Sequence, residues 1–203
     1  MKAARLSWRT HLYIVALALV GQAAFAQVAP ELLNSERIAA AFGSYGIEVL
    51  EQDGAVRISN LYSATGGERT CRTFAVVRYE PISPELREEH AAIVAGGSIG
   101  AVFAAAGWEV RKTHLRYGEI EATPRLAALM GIESGTRLAL HVYALDVARA
   151  GRTHSYAVLA EIHHPAYLGS DDLSAIYGPA DEAPRPQSVA AVLATAEAAL
   201  ARP

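Results

Sequence analysis

Among the residues able to do chemistry, Glu161 is set apart by its company. Alternation along Ser155 to His163 puts Ala157, Leu159 and Glu161 on one face of a strand, with Tyr156, Val158 and Ile162 on the other. A carboxylate in an apolar row is costly unless it is paired or protonated. Two explanations are open. Glu161 belongs to an internal ion pair or meets water at the strand end, or it exchanges a proton with a hydroxyl or ether oxygen of a bound molecule. An arginine beside such an acid would complete a site for a small aromatic carboxylate, because the guanidinium offers a planar fork of two parallel hydrogen bonds.

The other candidate groups are less specific. The run from Trp108 to Ile120 carries Arg111, Lys112, His114 and Arg116 within six residues. A solvated edge strand accounts for such charge, and His114 and Arg116 are also candidates for holding an anionic ligand. His163 and His164 are adjacent and point to opposite faces of a strand. His141 and His154 lie on neighbouring strands, but no third ligand is spaced with them, so no metal site is expected. No nucleophile elbow, phosphate loop or dinucleotide fingerprint is present, and no cofactor is expected. Cys71 is the only cysteine. It has no intramolecular partner, and its strand neighbours Phe74 and Val76 predict a buried, inert thiol.

The elements that must position these groups centre on Thr136 to Leu168. Leu138, Leu140, Val142 and Ala144 alternate with Ala139, His141, Tyr143 and Leu145, so both faces are largely apolar. That pattern predicts a strand in mid-sheet with cover on each side. Ala150-Gly151 supplies the tight turn into the Glu161 strand. Upstream, a helix capped by Asn34 or Ser35 runs to about Tyr45. Strands follow over Ile47–Glu51, Val56–Ser63 and Thr70–Tyr79, with Asp53-Gly54 as the first turn. Helices are expected over Glu85–Val94, Ser98–Ala106 and Arg125–Met130, with one helical turn ending at Tyr177. This order argues for an α+β fold with an antiparallel sheet.

With 203 residues, 52% of them hydrophobic and 19% charged, the chain has material for one ordinary core. Residues 1–26 read as a signal peptide. Lys2, Arg5 and Arg9 form a basic front, Leu12 to Val20 an apolar centre, and Ala24-Phe25-Ala26 a cleavage pattern. The apolar centre is shorter than the roughly 20 residues of a membrane span, so no transmembrane segment is expected in the mature chain. A periplasmic or secreted product starting at Gln27 is expected. Without those three basic residues the chain carries 15 basic against 21 acidic residues, a charge of −6, which does not suggest nucleic acid as a partner. Residues 27–178 are expected to form the domain, and 179–203 a linker and an Ala-rich helix that docks weakly.

Two stretches resemble known families. Glu119 to Pro165, with its short helix TPRLAALMGI, the step ESGTRLAL, a turn at Gly151 and a strand ending in proline, is similar to the second half of UTRA domains, the effector-binding modules of bacterial transcription regulators. Ala160-Glu161-Ile162-His163-His164-Pro165, Val56-Arg57-Ile58, Gly66-Gly67 and Arg72-Thr73 resemble the corresponding places in chorismate pyruvate-lyase, which shares that fold. The resemblance implies an antiparallel sheet with helices packed on one side and an internal ligand cavity. It also implies that Arg57 grips a ring carboxylate while Glu161 contacts the ring's oxygen substituent, making them the candidate catalytic pair. The partner implied is a small aromatic or acidic ligand. Eight residues (27–34) separate the cleavage site from the first helix, so the DNA-binding domain that precedes a UTRA module is not expected here.

Overall fold

The computed structural model describes residues 32–202; the expected signal peptide lies outside them. Six strands form one antiparallel sheet: β1 (Gly46–Gln52), β2 (Val56–Thr65), β3 (Glu68–Tyr79), β4 (Glu109–Glu121), β5 (Arg137–Arg149) and β6 (Arg152–His163). Their spatial order is β1-β2-β3-β6-β5-β4. Two three-stranded meanders therefore meet where β3 pairs with β6, Val77 opposite Leu159 and Ala75 opposite Glu161. The basic strand β4 is an edge, as its charge predicts. The turn at Ala150-Gly151 has positive φ at both residues, 51° and 77°, as the twist of a two-residue hairpin requires.

Among the described residues six α-helices complete the fold: α1 (Asn34–Phe42), α2 (Arg87–Val94), α3 (Ile99–Ala105), α4 (Pro124–Met130), α5 (Ser170–Tyr177) and α6 (Pro186–Leu200). Thr123 caps α4 through its hydroxyl, which accepts from the Leu126 amide. Asn34 does not cap α1. It is buried in the first turn, and its amide donates to the Thr73 hydroxyl at 3.2 Å and accepts from Tyr167 at 2.6 Å. Tertiary partners outbid the local cap and fasten α1 to β3.

The α+β antiparallel class stands, but the helices are not confined to one side. Ile58, Val76, Val142, Ala160 and Ile162 pack with Leu126 and Met130 of α4 and with Val189 and Val192 of α6. On the opposite face, Val77, Tyr143 and Leu159 pack with Ile93 of α2 and Phe103 of α3. The apolar character of both faces of β5 is the reason, since a strand with no polar face needs cover twice. α6 is a wall of the larger core and not a loose appendage. Burying each of its two valines stabilises the fold by about 1.5–3 kcal/mol.

Cys71 lies in that larger core, 1% exposed. Burial pushes its thiol up to about 12, so the reactive thiolate is scarce at neutral pH. A thiol reagent should label the native protein slowly and the denatured protein fast; fast native labelling would contradict this packing.

Candidate functional site

The face of the sheet covered by α1, α2 and α3 can be read as a grid, because paired residues in adjacent strands share a face. One row across it runs Arg57, Val77, Leu159, Tyr143, His114. The next runs Ser59, Ala75, Glu161, His141, Tyr117, and a third Leu61, Thr73, His163, Ala139, Glu119. Arg57 and Glu161 thus stand on either side of β3, two strand spacings across and one row along, about 12 Å apart at the backbone. Between them the floor is Ala75 and Val77.

That floor underlies a cavity of about 70 Å³. A single water occupies about 10–15 Å³ on this measure, so there is room for several waters or one small molecule. Arg57, Ser59, Lys112, Tyr143 and Glu161 line it from the sheet, with Tyr45 alongside and Asn34, Ser98 and Gly100 above. Leu33 and Gly100 close over it. A Cβ on Gly100 would lie 2.6 Å from a Leu33 methyl, so a larger residue there would push the Leu33 side chain aside.

Arg57 is 1% exposed. Its Nε donates to Ser59 Oγ at 2.9 Å, and its Nη1 donates to the carbonyls of Ile93 and Gly97 at 2.9 and 2.8 Å. The guanidinium therefore satisfies carbonyls at the C-terminal end of α2 and ties the α2–α3 corner to the sheet. The Tyr79 hydroxyl is buried beside the guanidinium: burial raises the Tyr79 pKa, and the charge of Arg57 and a hydrogen bond with it draw it back.

Glu161 is 4% exposed. The Tyr143 hydroxyl donates to its Oε1 at 3.1 Å, and His163 Nε2 lies 4.0 Å from its Oε2. The pKa of Tyr45 is raised by burial, lowered by a hydrogen bond with Ser98, raised again by the charge of Glu161 and lowered by that of Arg57, so both charges are felt at its phenol. The cavity is apolar at its base and charged at its walls, with Arg57 and Lys112 against Glu161.

The other two sequence candidates separate. His114 turns toward this face, its Nδ1 2.9 Å from His141 Nε2. Arg116 does not. A bulge between His114 and Arg116 puts Arg116 opposite Val142, on the other face. Its side chain is 51% exposed and 3.9 Å from Glu182, away from the cavity. His154 does not approach His141; it pairs with Val147, and His141 lies opposite Glu161. Sequence reasoning missed Tyr45, Ser98, Tyr143 and the cavity role of Lys112. The only signal for Tyr143 was its place two residues from His141 on a strand already read as buried.

No family model matches the chain, and no curated protein does. Among solved structures, one similar to it is a transcriptional regulator of the GntR family from Enterococcus faecalis V583, at 10% identity, covering 62% of this chain and 93% of that one, with a TM-score of 0.39. Another is the C-terminal domain of Yurk from Bacillus subtilis subsp. subtilis str. 168, at 12% identity, covering 62% and 89%, with a TM-score of 0.35. Overlaps this loose leave the functional argument to the cavity itself.

Removing the Arg57 fork should loosen the α2–α3 corner. Arg57→Ala strands the Gly97 carbonyl, leaves that of Ile93 with the Gly96 amide alone, and should cost about 1–3 kcal/mol in urea unfolding, the cost of a buried group left unpaired. An effect below about 0.5 kcal/mol, the range of an inert surface change, would mean that the corner holds without it.

Proposed function

We propose that this domain binds a small carboxylate in the cavity between Arg57 and Glu161, with an aromatic acid as the preferred class. One observation carries the reading: a cavity against the sheet has a buried guanidinium on one wall and a buried carboxylate on the other. A carboxylate would pair with that guanidinium, Lys112 adds a second positive charge, and Glu161 and Tyr143 offer partners to a hydroxyl at the far end. The apolar floor of Ala75 and Val77 suits a flat ring.

Calorimetry with 4-hydroxybenzoate and its uncharged amide tests this. The acid should bind and the amide should bind at least about tenfold more weakly, a difference of about 1.4 kcal/mol. Arg57→Lys, which keeps the charge and removes the fork, should weaken the acid by a similar factor. Equal affinity for acid and amide, or no binding of either acid or chorismate, would overturn the reading.

A catalytic version is supported by the acid sharing a cavity with the arginine. Loss of a proton from the hydroxyl-bearing ring carbon of chorismate, with cleavage of the neighbouring ether C–O bond, aromatises the ring and releases enolpyruvate, which ketonises to pyruvate. Orientation and modest charge stabilisation would suffice for so favourable a step. Pyruvate release from chorismate, reduced more than binding in Glu161→Gln, is the expected outcome for an enzyme. Binding without pyruvate release leaves a binding module. We also propose that the protein works outside the cytoplasm, on the strength of the basic front, apolar centre and Ala-Phe-Ala pattern of residues 1–26. Amino-terminal sequencing of the exported fraction should find Gln27 first; intact chain in the cytosol alone would remove the proposal.

A further inference from the structure

Next to the cavity, on the same face, His141, Glu161 and His163 each present a ligand atom, all within 4.8 Å of one another. The three side chains are 1%, 4% and 0% exposed. His141 stands directly across from Glu161, and His163 follows Glu161 by two residues on the same strand face. We propose that these three residues form a binding site for a divalent first-row transition metal ion, with two imidazoles and one carboxylate as ligands.

The hydrogen bonds around the cluster are those a metal centre needs. His163 Nδ1 is 3.1 Å from the Thr73 hydroxyl, which is itself held by Asn34. His141 Nε2 is engaged by His114, and the Tyr143 hydroxyl holds one oxygen of Glu161. The remaining nitrogens, His141 Nδ1 and His163 Nε2, are buried and make no hydrogen bond. Ligating histidines characteristically have one nitrogen fixed by an outer partner and the other turned to the ion. Two buried nitrogens left unbonded within one cluster are otherwise a cost of about 1–3 kcal/mol each.

Charge and distance agree. Burial, the nearby imidazoles and Lys112 hold His141 down at about 2, and burial holds His163 down at about 3. Both rings are therefore neutral and carry a lone pair at any ordinary pH. Donor atoms around a tetrahedral ion at about 2.1 Å are about 3.4 Å apart. His163 Nε2 and Glu161 Oε2 are 4.0 Å apart and every pair lies within 4.8 Å, so closing on an ion takes about 0.6 to 1.4 Å per pair, shared among three side chains. Nitrogen with oxygen donors favours zinc, iron, cobalt or nickel over calcium or magnesium. Glu161 also lines the cavity, so the ion would abut a bound molecule. The inference does not rest on that molecule, because the metal alone is the probe.

The test is titration of the purified, chelator-treated protein with Co²⁺, followed by displacement with Zn²⁺. The wild type should develop visible d–d absorption that saturates at a single site and is erased by zinc. His163→Gln and Glu161→Gln should each weaken Co²⁺ by more than about 100-fold, beyond the range for loss of an outer-shell partner. His90→Gln, remote from the cluster, should bind as the wild type does. Absence of d–d absorption in the folded wild type overturns the proposal without recourse to any variant. Undiminished binding in both folded substitutions overturns it equally, by placing the ion elsewhere. Loss of Co²⁺ binding with 4-hydroxybenzoate binding intact, or the reverse, tells the fate of the two proposals apart.

Discussion

The antiparallel seam between β3 and β6 is the constraint on which the rest depends. Each meander alone is a three-stranded ribbon with two apolar faces and an exposed edge. Pairing Thr73 through Tyr79 with Ala157 through His163 joins them and buries residues 73–77 and 157–163. It also sets the distance between Arg57, one strand to one side, and Glu161, on the seam itself. Because side chains alternate with period two, a slip of one residue here would send Glu161 to the opposite face and Arg57 would face the cavity alone.

Burying polar groups on one face of a sheet is expensive, and the fold offsets the cost group by group. Arg57 is occupied by Ser59 and the end of α2, Glu161 by Tyr143, His163 by Thr73, and Thr73 by Asn34. The opposite face is filled mainly by apolar side chains against α4 and α6, with Arg125 linking Glu51 and the Ala199 carbonyl. The sheet thus divides the labour. One side supplies apolar burial, and the other carries a polar set that the apolar side must support.

The polar side also shows how one bulge creates a site. Counted from the Ala150-Gly151 turn, Arg149 pairs with Arg152 and Asp146 with Ser155, which would put His141 opposite Ala160. A bulge at Tyr156 shifts the register, Leu145 meets Ala157, and His141 meets Glu161 instead. The same bulge leaves Tyr156 in the core with Leu159, although strict alternation assigns it to the other face. A second bulge in β4 separates His114 from Arg116. Both insertions redirect a side chain toward or away from the polar cluster.

The sequence by itself determined the order and approximate bounds of every strand and helix, because hydrophobic period, Gly turns and Pro starts are local signals. It determined that β5 is covered on both faces, that β4 is an edge, and that Glu161 is an anomaly. Only the tertiary structure decided that Arg57 caps α2, that Asn34 fastens α1 to β3, and that α6 belongs to the main core. It alone decided that His141 faces Glu161 while His154 does not approach it. The physical reason is register. Bulges leave no reliable mark in composition or periodicity, yet each reverses the face of every residue beyond it, and burial of the whole chain selects where they fall.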